Sequence, residues 1–92
     1  MDVSPLDAER AAALADLEDL RRRVRWARSA VRGAITGAET GIEIPWSGRA
    51  SEAWRGELIS LVLRLRRIEA RLETIQGSVT RVERELREVR GE

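Results

Sequence analysis

The sequence predicts an all-α protein, an antiparallel two-helix hairpin that dimerises into a four-helix bundle. Three observations carry this expectation. Ten apolar residues recur at alternating steps of three and four from Leu58 to Val89, which is the pattern of a heptad helix. Upstream, Ser4-Pro5-Leu6-Asp7 opens a second helical pattern. Between the two lie Gly37, Gly41, Ile44-Pro45 and Gly48, residue types that end helices or bend the chain.

Composition bounds the function. A length of 92 residues allows one domain, expected over 1–92. The basic residues are all Arg, 17 against 16 acids, and the net charge is +1. A nucleic-acid binder would show a basic excess, so no nucleic-acid partner is expected. There is no Cys and no His, hence no disulfide framework and no thiolate or imidazole metal site. The start, Met1-Asp2-Val3-Ser4-Pro5, has no basic and apolar leader pattern, so no cleaved signal peptide is expected. The longest nearly apolar run, Leu58 to Leu65, is far short of the roughly 20 residues of a membrane span.

Helix 1 is expected over about residues 5–37. Ser4 stands at the cap, Pro5 at the first helical position and Asp7 where a capping-box acid belongs. The apolar stripe is Leu6, Ala13, Leu17, Leu20, Val24, Ala27, Val31, Ala34 and Ala38, interrupted by Arg10. Toward the end the side chains shrink. Ser29, Gly33, Gly37 and Gly41 lie four apart, as do Ala30, Ala34 and Ala38. This small-residue face either admits a closely packed neighbour or only weakens the helix end. Charge is segregated: residues 1–19 hold six acids, whereas 20–38 hold six Arg and no acid. That order suits the helix macrodipole. The Arg run reads as a solvated face or as an anion-binding or membrane-surface patch, which leaves membrane contact open.

The turn is expected over about residues 38–47, with Gly37 and Gly41 stopping helix 1. Ile44 precedes Pro45 and so is driven to an extended conformation. Ser47 can cap helix 2, and Glu52 lies where the helix dipole favours an acid.

Helix 2 is expected over about residues 48–90. Leu58, Leu65, Leu72, Val79 and Leu86 occupy a positions, and Leu61, Ile68, Ile75, Val82 and Val89 occupy d positions. Trp54 extends the series backward. Leu at a with β-branched residues at d disfavours a parallel two-stranded coil. Ile59, Val62 and Leu63 widen the apolar face near the start. Folding the helices about the expected turn brings Asp16, Glu18 and Asp19 level with Arg64, Arg66, Arg67 and Arg71. One hairpin cannot cover so wide an apolar face, so a second hairpin is expected against it. The expected interface is Leu17, Leu20, Val24, Val31, Trp54, Leu58, Leu61, Leu65, Ile68, Leu72, Ile75, Val79, Val82, Leu86 and Val89. No cofactor, metal or small-molecule substrate is expected. Without His, Cys or Tyr the usual general bases and nucleophiles are missing, and Glu83, Glu85 and Glu88 read as surface partners of Arg84 and Arg87. The protein is therefore not expected to be an enzyme.

Trp46-Ser47-Gly48, followed by Ala50 and Ala53-Trp54-Arg55, sits between the two helices. This arrangement resembles the WXG family of small type VII secretion substrates of actinobacteria and firmicutes. The resemblance covers the whole hairpin. It implies homo- or heterodimeric four-helix bundles, so the partner would be a second copy, a paralogous WXG-type protein or the N-terminal domain of a toxin. It also implies that the Trp46 end, together with a partner's C-terminal tail, offers a surface to a secretion ATPase. Export would then take the protein from the cytoplasm to the cell surface or medium without a cleaved leader. Family members that carry the export signal have Tyr-x-x-x-acid after helix 2. This chain has no Tyr and so resembles the signal-less member of a pair. The other reading of the same heptads is a cytoplasmic coiled-coil oligomerisation module unrelated to secretion.

Overall fold

The computed structural model describes residues 4–45 and 47–89. Two helices fill it, α1 (Pro5–Glu43) and α2 (Arg49–Val89). They pack side by side as an antiparallel hairpin 73 Å long and 18 Å across. The expected hairpin is thus present.

α1 begins at its coded cap. Ser4 Oγ accepts from the Asp7 N–H at 3.1 Å, and the Ser4 carbonyl accepts from the Ala8 N–H at 3.0 Å. The Asp7 carboxylate does not complete a capping box. It pairs instead with Arg10 one turn on, at 3.4 Å.

The end of α1 departs from the sequence expectation. The helix runs through Gly37 and Gly41 to Glu43. Glycine inside a helix costs only about 1 kcal/mol relative to alanine, which packing over the following turn outweighs. Pro45 is the effective stop: Ile44, held before it, turns to φ −62°, ψ 133°, as the proline ring demands. Gly41 is also tolerated for space, since a Cβ there would stand 2.9 Å from Leu58 Cδ1.

The connection is correspondingly short, Ile44 to Gly48. Gly48 has φ +93°, a left-handed conformation that other residues rarely adopt. Its carbonyl accepts the first helical bond of α2, from the Glu52 N–H at 3.2 Å. Gly48 is therefore the cap residue, and the expected Ser47 cap is displaced by one position. Ser47 contributes its carbonyl, which accepts from the Ser51 hydroxyl at 2.6 Å. Arg55 closes the turn by donating to the Ile44 carbonyl at 3.4 Å.

The longer α1 shifts the register of the hairpin. Asp16, Glu18 and Asp19 do not meet Arg64 to Arg71. Arg66 pairs with Glu39, and the Arg run of α1 lies beside Glu69, Glu73 and Glu83. Asp19 pairs within α1, with Arg22 and Arg23.

The seam between the helices is a heptad on both sides. From α1 it takes Leu14, Leu17, Val24, Val31, Ile35, Ala38 and Ile42, with Arg10, Arg21 and Arg28 in the same row. From α2 it takes Leu58, Val62, Leu65, Leu72, Val79 and Leu86, with Glu69, Gln76 and Glu83 between them. The tightest cluster, Ile35, Ala38 and Val62 with Val31, Ile42, Leu58 and Leu65 around them, lies in the half nearest the turn. The other half mixes Val24 and Val79 with polar layers, Arg21 against Glu83 and Arg28 against Gln76.

This seam corrects the expected use of α2. The row of Leu58 is kept, but the row that accompanies it against α1 is Val62, Glu69, Gln76 and Glu83, four residues on. The row of Leu61, Ile68, Ile75 and Val82, three residues on, stays exposed.

Candidate association surface

The hairpin has two unlike long sides. On one side, charged residues bridge the helices. Arg32 Nε lies 3.1 Å from Glu69 Oε2, Arg28 Nη2 lies 3.1 Å from Glu73 Oε1, and Arg66 Nη2 lies 2.8 Å from Glu39 Oε2. Arg21 also reaches Thr80 Oγ1 at 3.4 Å from the seam. In each helix the outer members of this network, Arg32 and Glu39 in α1, Arg66, Glu73 and Thr80 in α2, follow a seam residue by one position. A step of one on a 3.6-residue helix turns by about 100°, so these residues mark one common flank.

The opposite flank is apolar in both helices. In α2 it carries Trp54, Leu61, Ile68, Ile75 and Val82, one per heptad, all exposed. Ile68, for example, keeps 44% of its surface in solvent. In α1 the matching row is Ala13, Leu20, Ala27, Ala34 and Gly41. Solvent-facing apolar residues scattered singly are ordinary; this row instead continues over about 42 Å of the hairpin, from Trp54 to Val82.

Of the expected interface residues, Leu17, Val24, Val31, Leu58, Leu65, Leu72, Val79 and Leu86 are occupied between the protein's own helices. Leu20, Trp54, Leu61, Ile68, Ile75 and Val82 form the exposed row. The side chain of Val89, and Trp46 of the turn motif, lie outside the described residues. Gly48 of that motif takes φ +93°, and no described residue lies within 4 Å of where its Cβ would stand.

The Arg run of α1 is largely neutralised. Arg21, Arg22, Arg23, Arg28 and Arg32 each pair with a carboxylate. Arg25 alone of the six has no carboxylate partner among the described residues. This pairing favours an ion-paired, solvated face over a free basic patch.

One exposed residue was not singled out by periodicity. Trp26 keeps 75% of its surface in solvent, on the back of α1 between Arg22 and Arg23. Its signal was an indole off the apolar stripe. Among the described residues no group of three acidic side chains gathers where a metal ion could be held. Nor is any helix long and apolar enough to cross a membrane.

No family model, curated protein or solved structure matches the chain. The resemblance to the WXG family therefore rests on Trp46-Ser47-Gly48, Ala50 and Ala53-Trp54-Arg55 and on the hairpin shape.

Proposed function

We propose that this protein acts by association rather than catalysis, pairing through its apolar flank with a second helical hairpin to complete a four-helix bundle. The observation that carries the reading is the unbroken exposed row Trp54, Leu61, Ile68, Ile75 and Val82. The seam already occupies the rest of the heptads, and the ion-paired flank is satisfied in water. Trp26, Ile59 and Leu63 are also exposed, off this flank, but the flank carries the continuous row and is the surface that calls for cover.

The use of such a bundle that best fits the turn residues is partnership in type VII secretion, with this chain as the signal-less member. The support is Trp46-Ser47-Gly48 at the bend of the hairpin, and the absence of Tyr from the sequence. A free-standing oligomerisation module is the reading left if secretion fails.

Sedimentation of the purified chain, alone and co-expressed with helical proteins encoded beside it, tests the association. Assembly beyond the 10.4 kDa monomer is expected in one or both cases, and a monomer in both would overturn it. For secretion, export of this chain should stop in a strain lacking every partner with a Tyr-x-x-x-acid tail. Continued export there would overturn the signal-less assignment, and no export from the parent strain would leave the module reading.

A further inference from the structure

The sequence clusters six arginines on α1, but the structure leaves the unpaired ones mostly on α2. Along the back of α2, turned away from α1, stand Arg64, Arg67, Arg71, Arg81 and Arg84, all exposed. None of them forms an ion pair among the described residues. The arginines of this part of α2 that do pair are Arg66, with Glu39, and Arg87, with Glu83. No acid shares the back face between Glu57 and Glu85. The acids that lie between them in the chain, Glu69, Glu73 and Glu83, meet arginines of α1.

Arg64, Arg67 and Arg71 follow one another at steps of three and four, so each sits one turn from the next. Every other position one turn from any of the three is uncharged. Like charges at this spacing destabilise a helix, and no acid within reach offsets them. α1 is built differently: Arg22 and Arg23 share Asp19, and Arg32 has Glu69. A basic row left without acids along one helix face marks a surface for an anion from outside the chain. Leu63, exposed on the same face, lies beside Arg64 and Arg67.

We infer that the back of α2 docks the protein, lying flat, on an anionic phospholipid surface. Guanidinium groups bind phosphate oxygens through paired hydrogen bonds. From Arg64 to Arg84 the row runs straight for about 30 Å at 1.5 Å per residue. A flat bilayer touches such a row along its whole length, and mobile headgroups adapt to its uneven spacing. A nucleic-acid duplex fits less well. Its phosphate strands wind away from a straight row, and no aromatic side chain stands on this face to stack on a base. Phosphates would also leave Leu63 without an apolar neighbour, whereas at a bilayer it reaches the acyl boundary between the arginines. Binding is peripheral, since no described helix is long and apolar enough to cross a membrane. The row is separate from the seam and from the row of Leu61 and Ile68, so docking does not depend on association.

Co-sedimentation of the full chain with vesicles tests this. At low salt the chain should pellet with vesicles of equimolar phosphatidylglycerol and phosphatidylcholine and stay in solution with phosphatidylcholine alone. High salt should release it from the anionic vesicles. Each arginine near an anionic surface contributes about fivefold to partitioning. Arg64→Gln, Arg67→Gln and Arg71→Gln together should therefore weaken binding by about 100-fold. Arg22→Gln, Arg23→Gln and Arg25→Gln together remove the same charge from α1 and should weaken it by no more than about fivefold. Circular dichroism should show the parent helical content in both proteins. Equal losses from the two triple variants would show a diffuse charge effect and overturn the row as the site. Binding to phosphatidylcholine as tight as to the mixture would overturn headgroup recognition. Binding to a duplex oligonucleotide but not to vesicles would overturn the membrane as partner. Binding to neither at low salt would overturn the anion-binding face itself.

Discussion

Arg21 of α1 reaches across the seam to Glu83 of α2, whose side chain keeps only 2% of its surface exposed. The second carboxylate oxygen of Glu83 lies 3.9 Å from Arg87 on the same helix. Two helices that could slide past one another by a heptad are held in one register by this contact. Any slip would strand a buried charge.

Removing one partner should therefore hurt more than removing both. Arg21→Ala leaves the buried Glu83 carboxylate with only its longer contact to Arg87, at 3.9 Å. Because Arg21 is itself partly exposed, a loss of about 2–3 kcal/mol is expected, below the about 3–5 kcal/mol of a fully buried pair. Arg21→Leu combined with Glu83→Leu should restore stability to near the parent value. Urea denaturation followed by circular dichroism measures both. Equal losses in the single and double variants would show that the pair does not set the seam.

The two neighbouring heptad rows of α2 should separate folding from assembly. Leu72→Asp places a charge in the seam and should unfold the hairpin or strongly lower its midpoint. Ile75→Asp, on the exposed row, should keep the helical content and abolish assembly. Circular dichroism and sedimentation on both proteins decide this. Unfolding by Ile75→Asp would mean that the hairpin depends on its partner for folding.

Ile35→Ala removes part of the tightest cluster and should cost about 2–5 kcal/mol. Leu63→Ala, at a position left 54% exposed, should change stability by no more than about 0.5 kcal/mol. Chemical denaturation midpoints give the comparison. Similar costs at the two sites would contradict the seam.

Glycines should divide by backbone geometry. Gly48→Ala forces a Cβ into φ +93° and should destabilise by about 1–2 kcal/mol. Gly33→Ala and Gly77→Ala have open space around the new methyl and sit inside helices, so each should stabilise by up to about 1 kcal/mol. Thermal melts of the three variants show the signs directly.

Much of this was legible in the sequence. The Ser4-Pro5 cap, the heptads of α2 and the Ile44-Pro45 break are local features, fixed by hydrogen bonding at a helix end, by burial every half-heptad and by the proline ring. Sequence alone also determined that helix 2 carries more apolar surface than one partner helix can cover. Which row of α2 faces α1 was decided only by the tertiary structure. Leu61 and Val62 are equally apolar, and the row that won includes Glu69, Gln76 and Glu83, which periodicity counts as interruptions. They are admitted because Arg21, Arg28 and Arg32 come from the other helix to meet them. The register was decided in the same way. A glycine such as Gly37 weakens a helix by an amount that packing against a neighbour overrides, whereas the clash of a proline with the preceding residue cannot be packed away. That α1 ran on through Gly37 and Gly41 to the proline, and therefore which charges met across the hairpin, depended on contacts between residues far apart in the chain.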